Sequence, residues 1–181
     1  MPNIYKFRVL LDTELEVFRD IEIKPENTFE QLHLAIQEAF GFSAKEMASF
    51  YLSNDDWEKG KELPLMDMNY GDDDQLYSMG QVKIGELIRK TGQKLIYIYD
   101  FLRMWGFFVE MVEISPELNE MTYPRVAMAL GDAPEEGSKD MDFEIETDYD
   151  GDEGDEDDYF DDFDDDIDSD DLDSLSDRDS F

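Results

Sequence analysis

The sequence contains no cysteine. Disulfides, thiolate nucleophiles and the usual structural zinc sites are therefore excluded, and the absence fits a cytosolic protein. Histidine occurs once, as His33. Basic residues are few: 15 Lys plus Arg stand against 49 Asp plus Glu, a formal charge of −34. A nucleic-acid-binding surface needs clustered Lys and Arg, so direct nucleic-acid binding is not expected. No apolar run approaches the roughly 18 residues of a membrane span, and an anionic surface is repelled by anionic lipid. The start, Met1-Pro2-Asn3-Ile4-Tyr5-Lys6, lacks the basic and apolar stretches expected of a secretory signal. Neither a Gly-rich phosphate loop nor a Gly-x-Ser-x-Gly elbow is present.

What the chain does have is concentrated acid. Residues 140–181 hold 23 acidic residues and one basic residue, Arg178, a net of −22. The other 26 acids and 14 bases leave residues 1–139 at −12. Low hydropathy and high charge keep a segment like 140–181 from building a core. The expected organisation is a folded domain over 1–139 and a disordered acidic tail over 140–181. Thirteen Phe, nine Tyr and two Trp supply a core. A domain of about 120–140 residues buries roughly two-thirds of its unfolded surface, so it should fold without metal or disulfide.

Alternation over 4–11 predicts a strand, with Tyr5, Phe7, Val9 and Leu11 on one face and Lys6 and Arg8 on the other. After a polar turn at Asp12-Thr13-Glu14, residues 15–24 alternate again. Leu15, Val17, Ile21 and Ile23 oppose Glu16, Asp20, Glu22 and Lys24, and the two runs predict a β-hairpin. Pro25 ends the second strand. Thr28-Phe29-Glu30-Gln31 matches a capping box. Phe29, Leu32, Ile36 and Phe40 follow at helical spacing as far as Gly41, a helix stop.

Residues 47–54 read as a strand with Phe50 and Leu52 on one face, then Asp55-Asp56-Trp57 as a turn. Residues 63–68 read as a brief strand and 69–80 as a polar loop containing Asp72-Asp73-Asp74. Ile84, Leu87 and Ile88 fit a short helix ended by Gly92. The nearly continuous apolar run 95–101 predicts a central strand covered on both faces, with 107–114 as its partner. Three prolines, Pro116, Pro124 and Pro134, make 115–139 a meandering segment over the domain. The fold class is α+β: a β-hairpin, a helix and further strands in a mixed or antiparallel sheet with helices packed on it.

The stretch Gln93-Lys94-Leu95-Ile96-Tyr97-Ile98-Tyr99-Asp100-Phe101, followed by Trp105, resembles the plasmid pRiA4b ORF-3-like family. Members of that family carry Tyr-Asp-Phe-Gly-Asp-x-Trp-x-His at this place. The resemblance covers residues 3–136, including the Leu32-His33-x-x-Ile36-Gln37-x-x-Phe40-Gly41 helix and the pieces Tyr123-Pro124 and Ala133-Pro134-Glu135-Glu136. It implies an α+β fold without an established activity. Leu102-Arg103 stand where the family has Gly-Asp, and Gly106-Phe107-Phe108 replace its His after the Trp. A second His, which many members place after the helix, is missing near Met47. If other members use those histidines for metal or catalysis, this chain lacks the means. Asp55-Asp56-Trp57-Glu58 and Phe107-Phe108 look like a Bacteroidetes-type branch.

Each candidate for chemistry has a plainer reading. His33 sits at the edge of the helix's apolar stripe without an identifiable partner, so a structural role is preferred over a general base. Asp100 ends an apolar strand; it can cap a turn or act as a ligand or acid, and the cap is preferred. Trp105 and Trp57 can form an aromatic recognition surface, but core packing is the usual fate of Trp. Residues 148–159 place Asp at loop positions 1, 3 and 5, yet Glu153 and Tyr159 occupy positions 6 and 12, so no EF-hand is expected.

The acidic tail carries the strongest functional signal. Phe160, Phe163 and Ile167 recur at i, i+3 and i+7, one face of a helix that charge repulsion opposes until a basic partner removes it. The plainer reading is a solubilising tail. The sequence therefore points to a non-enzymatic, cytoplasmic interaction protein that engages a basic protein through this tail. The alternative is an enzyme or small-ligand-binding domain using a pocket near Asp100 and Trp105. No pattern calls for a cofactor or metal.

Overall fold

The two alternating runs at the N-terminus form the expected hairpin. In the computed structural model, which describes residues 3–66 and 77–139, β1 (Asn3–Leu11) pairs antiparallel with β2 (Phe18–Ile23), Tyr5 opposite Ile23 and Leu10 opposite Phe18. The second strand starts later than its alternation suggests. The Leu11 amide donates to the Val17 carbonyl at 2.9 Å, which closes the hairpin around residues 12–16 and leaves Leu15 in the loop, 75 % exposed.

Helix α1 (Phe29–Phe40) has both expected ends. The Gln31 amide donates to Thr28 Oγ1 at 3.2 Å and the Thr28 amide to Gln31 Oε1 at 2.8 Å, closing the capping box. Gly41, at φ 75°, terminates the helix in the left-handed conformation that glycine adopts without a Cβ penalty. Phe29, Leu32, Ile36 and Phe40 are buried, so the helical spacing places its stripe on the sheet.

The sheet has seven strands, all antiparallel, in the order β4 (Glu62–Pro64), β3 (Ala48–Ser53), β5 (Lys94–Tyr99), β6 (Trp105–Pro116), β1, β2 and β7 (Arg125–Leu130). Of the mixed and antiparallel arrangements, the antiparallel one forms. Helices are few: besides α1 the described residues form the single turn α2 (Ile84–Leu87) and two three-residue 3-10 turns, Met79–Gln81 and Glu136–Ser138. The α+β fold is thus mostly sheet.

Strand β5 lies between β3 and β6 and is buried from Leu95 to Tyr99. Leu95, Tyr97 and Tyr99 join the core under α1. Ile96 and Ile98 are buried on the opposite, helix-free face, where Trp57 packs edge-on against Phe108 at 5.0 Å. Charged side chains span the rest of that open face: Arg8 donates twice to the Asp20 carboxylate at 2.9 Å, Lys6 reaches Glu113 at 2.9 Å, and Lys94 reaches Asp55 at 3.1 Å.

Two expectations are corrected. Residues 115–139 are not simply a meander, because β6 runs to Pro116 and β7 pairs with β2 at the sheet edge. The strand was hidden because most of its residues are exposed, giving no buried period. The brief strand expected over 63–68 is β4, three residues from Glu62 to Pro64. Residues 67–76, including Asp72-Asp73-Asp74, lie outside the described residues.

Candidate functional site

Asp100 begins the turn that joins β5 to β6. Its backbone sits at φ 65°, a left-handed conformation that aspartate tolerates better than most residues. The buried carboxylate, 3 % exposed, accepts the Leu102 amide at 3.1 Å and the Arg103 amide at 3.2 Å. Arg103 Nη1 approaches it at 3.6 Å. The Asp100 amide donates to the Met47 carbonyl at 2.8 Å, and the Asp100 carbonyl accepts the Met104 amide at 2.6 Å. The carboxylate and carbonyl contacts hold the turn, and the amide bond to Met47 continues the pairing of β5 with β3. The turn-capping reading of Asp100 therefore describes its surroundings.

Trp105 opens β6 just beyond this turn and is buried. Its ring packs against Phe42 at 5.0 Å, the Lys139 ammonium lies 5.5 Å above it, and its indole N–H donates to the Glu136 carbonyl at 3.1 Å. Phe42, Glu136 and Lys139 thus occupy the space beside the Trp105 ring.

Glu136, which the sequence reading did not single out, closes this corner. Its carboxylate accepts the Tyr99 hydroxyl at 2.7 Å, the Ser43 amide at 2.8 Å and the Ser43 hydroxyl at 3.1 Å. Burial acts to raise its pKa, but the hydrogen bonds from Tyr99 and Ser43 outweigh burial and hold it below the ordinary carboxylate value. Arg103 Nε donates to the Lys139 carbonyl at 2.8 Å. Residues 136–139 form a strap fastened across the β5–β6 end. No short-range pattern announces a contact between positions 43 and 136.

His33 faces the sheet. Its Nδ1 lies 2.6 Å from the Tyr97 hydroxyl, which also accepts from Gln37 Nε2 at 3.0 Å. Gln37 Oε1 in turn accepts the Ala44 amide at 3.0 Å. Gln37 thus donates to the Tyr97 oxygen, and burial keeps the imidazole neutral. Burial pushes His33 down to about 4 and Tyr97 well above its ordinary value. This is a buried core network in which neither ring offers a proton at neutral pH.

Arg19 was also missed, because its parity places a cation on the core face of β2. It is buried, with Nε donating to the Ala39 carbonyl at 3.1 Å and Nη1 to the carbonyls of Phe18, Leu130 and Gly131 at 2.9, 3.0 and 3.1 Å. It therefore supplies the positive charge at the C-terminal end of α1, whose own last turn has no base. Its guanidinium also lies 5.0 Å from the Phe40 ring centre.

The structure brings Asp100 and Trp105 to one corner. Phe160, Phe163, Ile167 and the loop 148–159 lie outside the described residues. Among the described residues, no group of three His, Asp or Glu is placed to hold a metal ion, and no helix is long and apolar enough to cross a membrane.

The family described as plasmid pRiA4b ORF-3-like protein matches residues 3–174. No curated protein matches. Among solved structures, the chain is similar to MM3350, a protein of unknown function from Methanosarcina mazei Go1. The two share 20 % identity with a TM-score of 0.64, over 77 % of this chain and 76 % of that one. At this identity the likeness is one of fold.

Proposed function

The chain belongs to the plasmid pRiA4b ORF-3-like family, and from that premise we propose that it is a non-enzymatic, cytoplasmic interaction protein whose acidic segment, residues 140–181, engages a basic protein partner. The observation that carries this reading is the charge division: 23 acids against one base in that segment. A basic partner neutralises the mutual repulsion of those carboxylates, and Phe160, Phe163 and Ile167, spaced for one helical face, then dock as apolar anchors. The same reading is supported by Asp100 and Trp105 at the corner and His33 under α1, each engaged by the chain's own hydrogen bonds.

The test is affinity capture with the full chain and with a 1–139 truncation, followed by titration of the captured protein at two salt concentrations. The truncation retains the described core, which runs from Ile4 to Met111. The full chain should retain a basic protein that 1–139 does not, with affinity falling steeply as salt rises. Replacing Phe160, Phe163 and Ile167 together by Ser should weaken binding at unchanged charge. Equal capture by both chains would refute the reading. Equal affinity of the triple variant and the native segment would reduce the interaction to charge alone.

A further inference from the structure

The two edges of the sheet are built differently. Strand β4 is three residues long and ends in Pro64, which has no amide to offer. Strand β7 is six residues long and, among the described residues, pairs with β2 alone. From Val126 to Leu130 it carries no charge, and Val126, Met128 and Leu130 are 43 %, 53 % and 43 % exposed. Soluble proteins commonly blunt such an edge with Lys, Pro or a covering segment. Among the described residues, 126–130 have none of these, and the irregularity of this edge is a register shift in the pairing with β2, between Asp20 and Ile21.

A groove of about 370 Å³ runs beside this edge on the helix face. It is lined by Ile21 and the small side chains Ala35 and Ala39, by Pro124, Arg125 and Val126 of the edge, and by the exposed Glu38. The exposed Asp132 follows the end of the strand. The basic residues nearby are engaged: Arg125 is paired with Glu22, and Arg19 is buried on carbonyls. The unneutralised charge around the edge is therefore negative, on a domain that is itself at −12. That charge disfavours a second copy of the chain and favours a cationic occupant.

We infer that the outer edge of β7 receives an extended, basic segment of a partner protein by strand addition, with one apolar side chain seated in the groove between α1 and β7 and Lys or Arg facing Glu38 and Asp132. Main-chain hydrogen bonds supply attachment, while the groove and its acidic rim select the side chains. The inference rests on the proposed basic partner and gives the folded domain its own contact, separate from the acidic segment.

The test uses the full chain and two synthetic probes of equal length and charge, one alternating Lys with Val and one alternating Lys with Pro. The Pro probe keeps the charge but cannot complete a strand ladder. Amide exchange at residues 126–130 should slow at least about five-fold with the Lys-Val probe and stay unchanged with the Lys-Pro probe. Ala35→Leu, which fills the groove, and Val126→Lys, which puts a cation on the edge, should each abolish that protection while circular dichroism stays native. Protection by both probes, by neither, or by rising protein concentration without a probe would overturn the inference. Binding to residues 140–181 is read separately, as affinity lost on truncation to 1–139, so failure of that reading is distinguishable from failure at the edge.

Discussion

The two faces of the sheet hold their polar groups in opposite ways. Under the middle of α1, the polar cluster of His33, Tyr97 and Gln37 is neutral and joined by hydrogen bonds, and the cation on that face, Arg19, is held by carbonyls at the end of the helix. On the open face the polar groups are ions that pair across neighbouring strands, Arg8 with Asp20, Lys6 with Glu113 and Arg125 with Glu22. The dielectric explains the division. An ion loses most of its hydration beneath a helix, whereas at a solvated face it keeps water and gains a partner. Stability should therefore be concentrated on the helix face.

The largest effect is expected from Leu32→Asp or Ile36→Asp. Both side chains are fully buried beneath α1. A carboxylate there lacks a partner, and the penalty of several kcal/mol is comparable with the stability of a domain. Both variants should be unfolded or insoluble by circular dichroism and denaturant melts. A native melting curve for both would show that the helix stripe does not carry the fold.

The next effect is a pH dependence to which the helix face contributes through His33, alongside the lowered Glu136 at the sheet end. His33 titrates at about 4 in the folded chain, lowered by burial from its ordinary 6.5. The unfolded chain takes up this proton first on acidification, so stability is complete above pH 6.5 and is lost as pH falls toward 4. The loss attributable to this group approaches about 3 kcal/mol. Urea melts of the native protein and of His33→Gln, compared from pH 7 to 4, isolate it. Their stabilities should converge as pH falls. Parallel pH profiles would mean that the imidazole gains its proton within the fold.

A third, smaller effect tests where the sheet edge is locked. Gly131 follows β7 at φ 82°, and a Cβ there would meet the Glu16 carbonyl oxygen at 2.5 Å. Gly131→Ala should destabilise by about 1–3 kcal/mol through left-handed strain and this backbone clash. Denaturant unfolding reads the value directly. A neutral result would show that the end of β7 moves freely relative to β2.

The parts legible in the sequence are those whose signals are local. Thr28 and Gln31 sit three residues apart, the apolar stripe of α1 follows them, and Gly41 stops it; all the information lies within fourteen consecutive positions. The strands β1, β2 and β5 were legible for the same reason, through alternation or a continuous apolar run. Strands β3 and β6 were also legible, over 47–54 and 107–114, whereas other features depended on distant contacts. Arg19 looked misplaced until the carbonyls of Ala39, Leu130 and Gly131 surrounded it. Glu136 became meaningful only beside Ser43 and Tyr99. Strand β7, rich in alanine and largely exposed, has no buried period to read. At the candidate corner, the capping role of Asp100 was legible from its place at a strand end, but the strap that fills the space beside Trp105 was not.

The smallest expected effect is on the open face. Lys6 lies 2.9 Å from Glu113 and 3.9 Å from Glu22, and its hydrogen bond to Glu113 raises its pKa, with burial opposing. Glu22 also has Arg125, so removing Lys6 leaves it a partner. Glu113 is half exposed and regains water. Lys6→Met preserves the aliphatic stem while deleting the charge, so what it removes is the ion pair. The expected loss is below about 1 kcal/mol, and it should shrink further in high salt, because screening weakens exposed pairs while leaving packing untouched. Denaturant melts of native and variant protein at low and high salt measure both quantities. A loss of several kcal/mol that persists in high salt would mean that the open face is held by its ions as firmly as the helix face is held by its core, and the contrast between the two would fail.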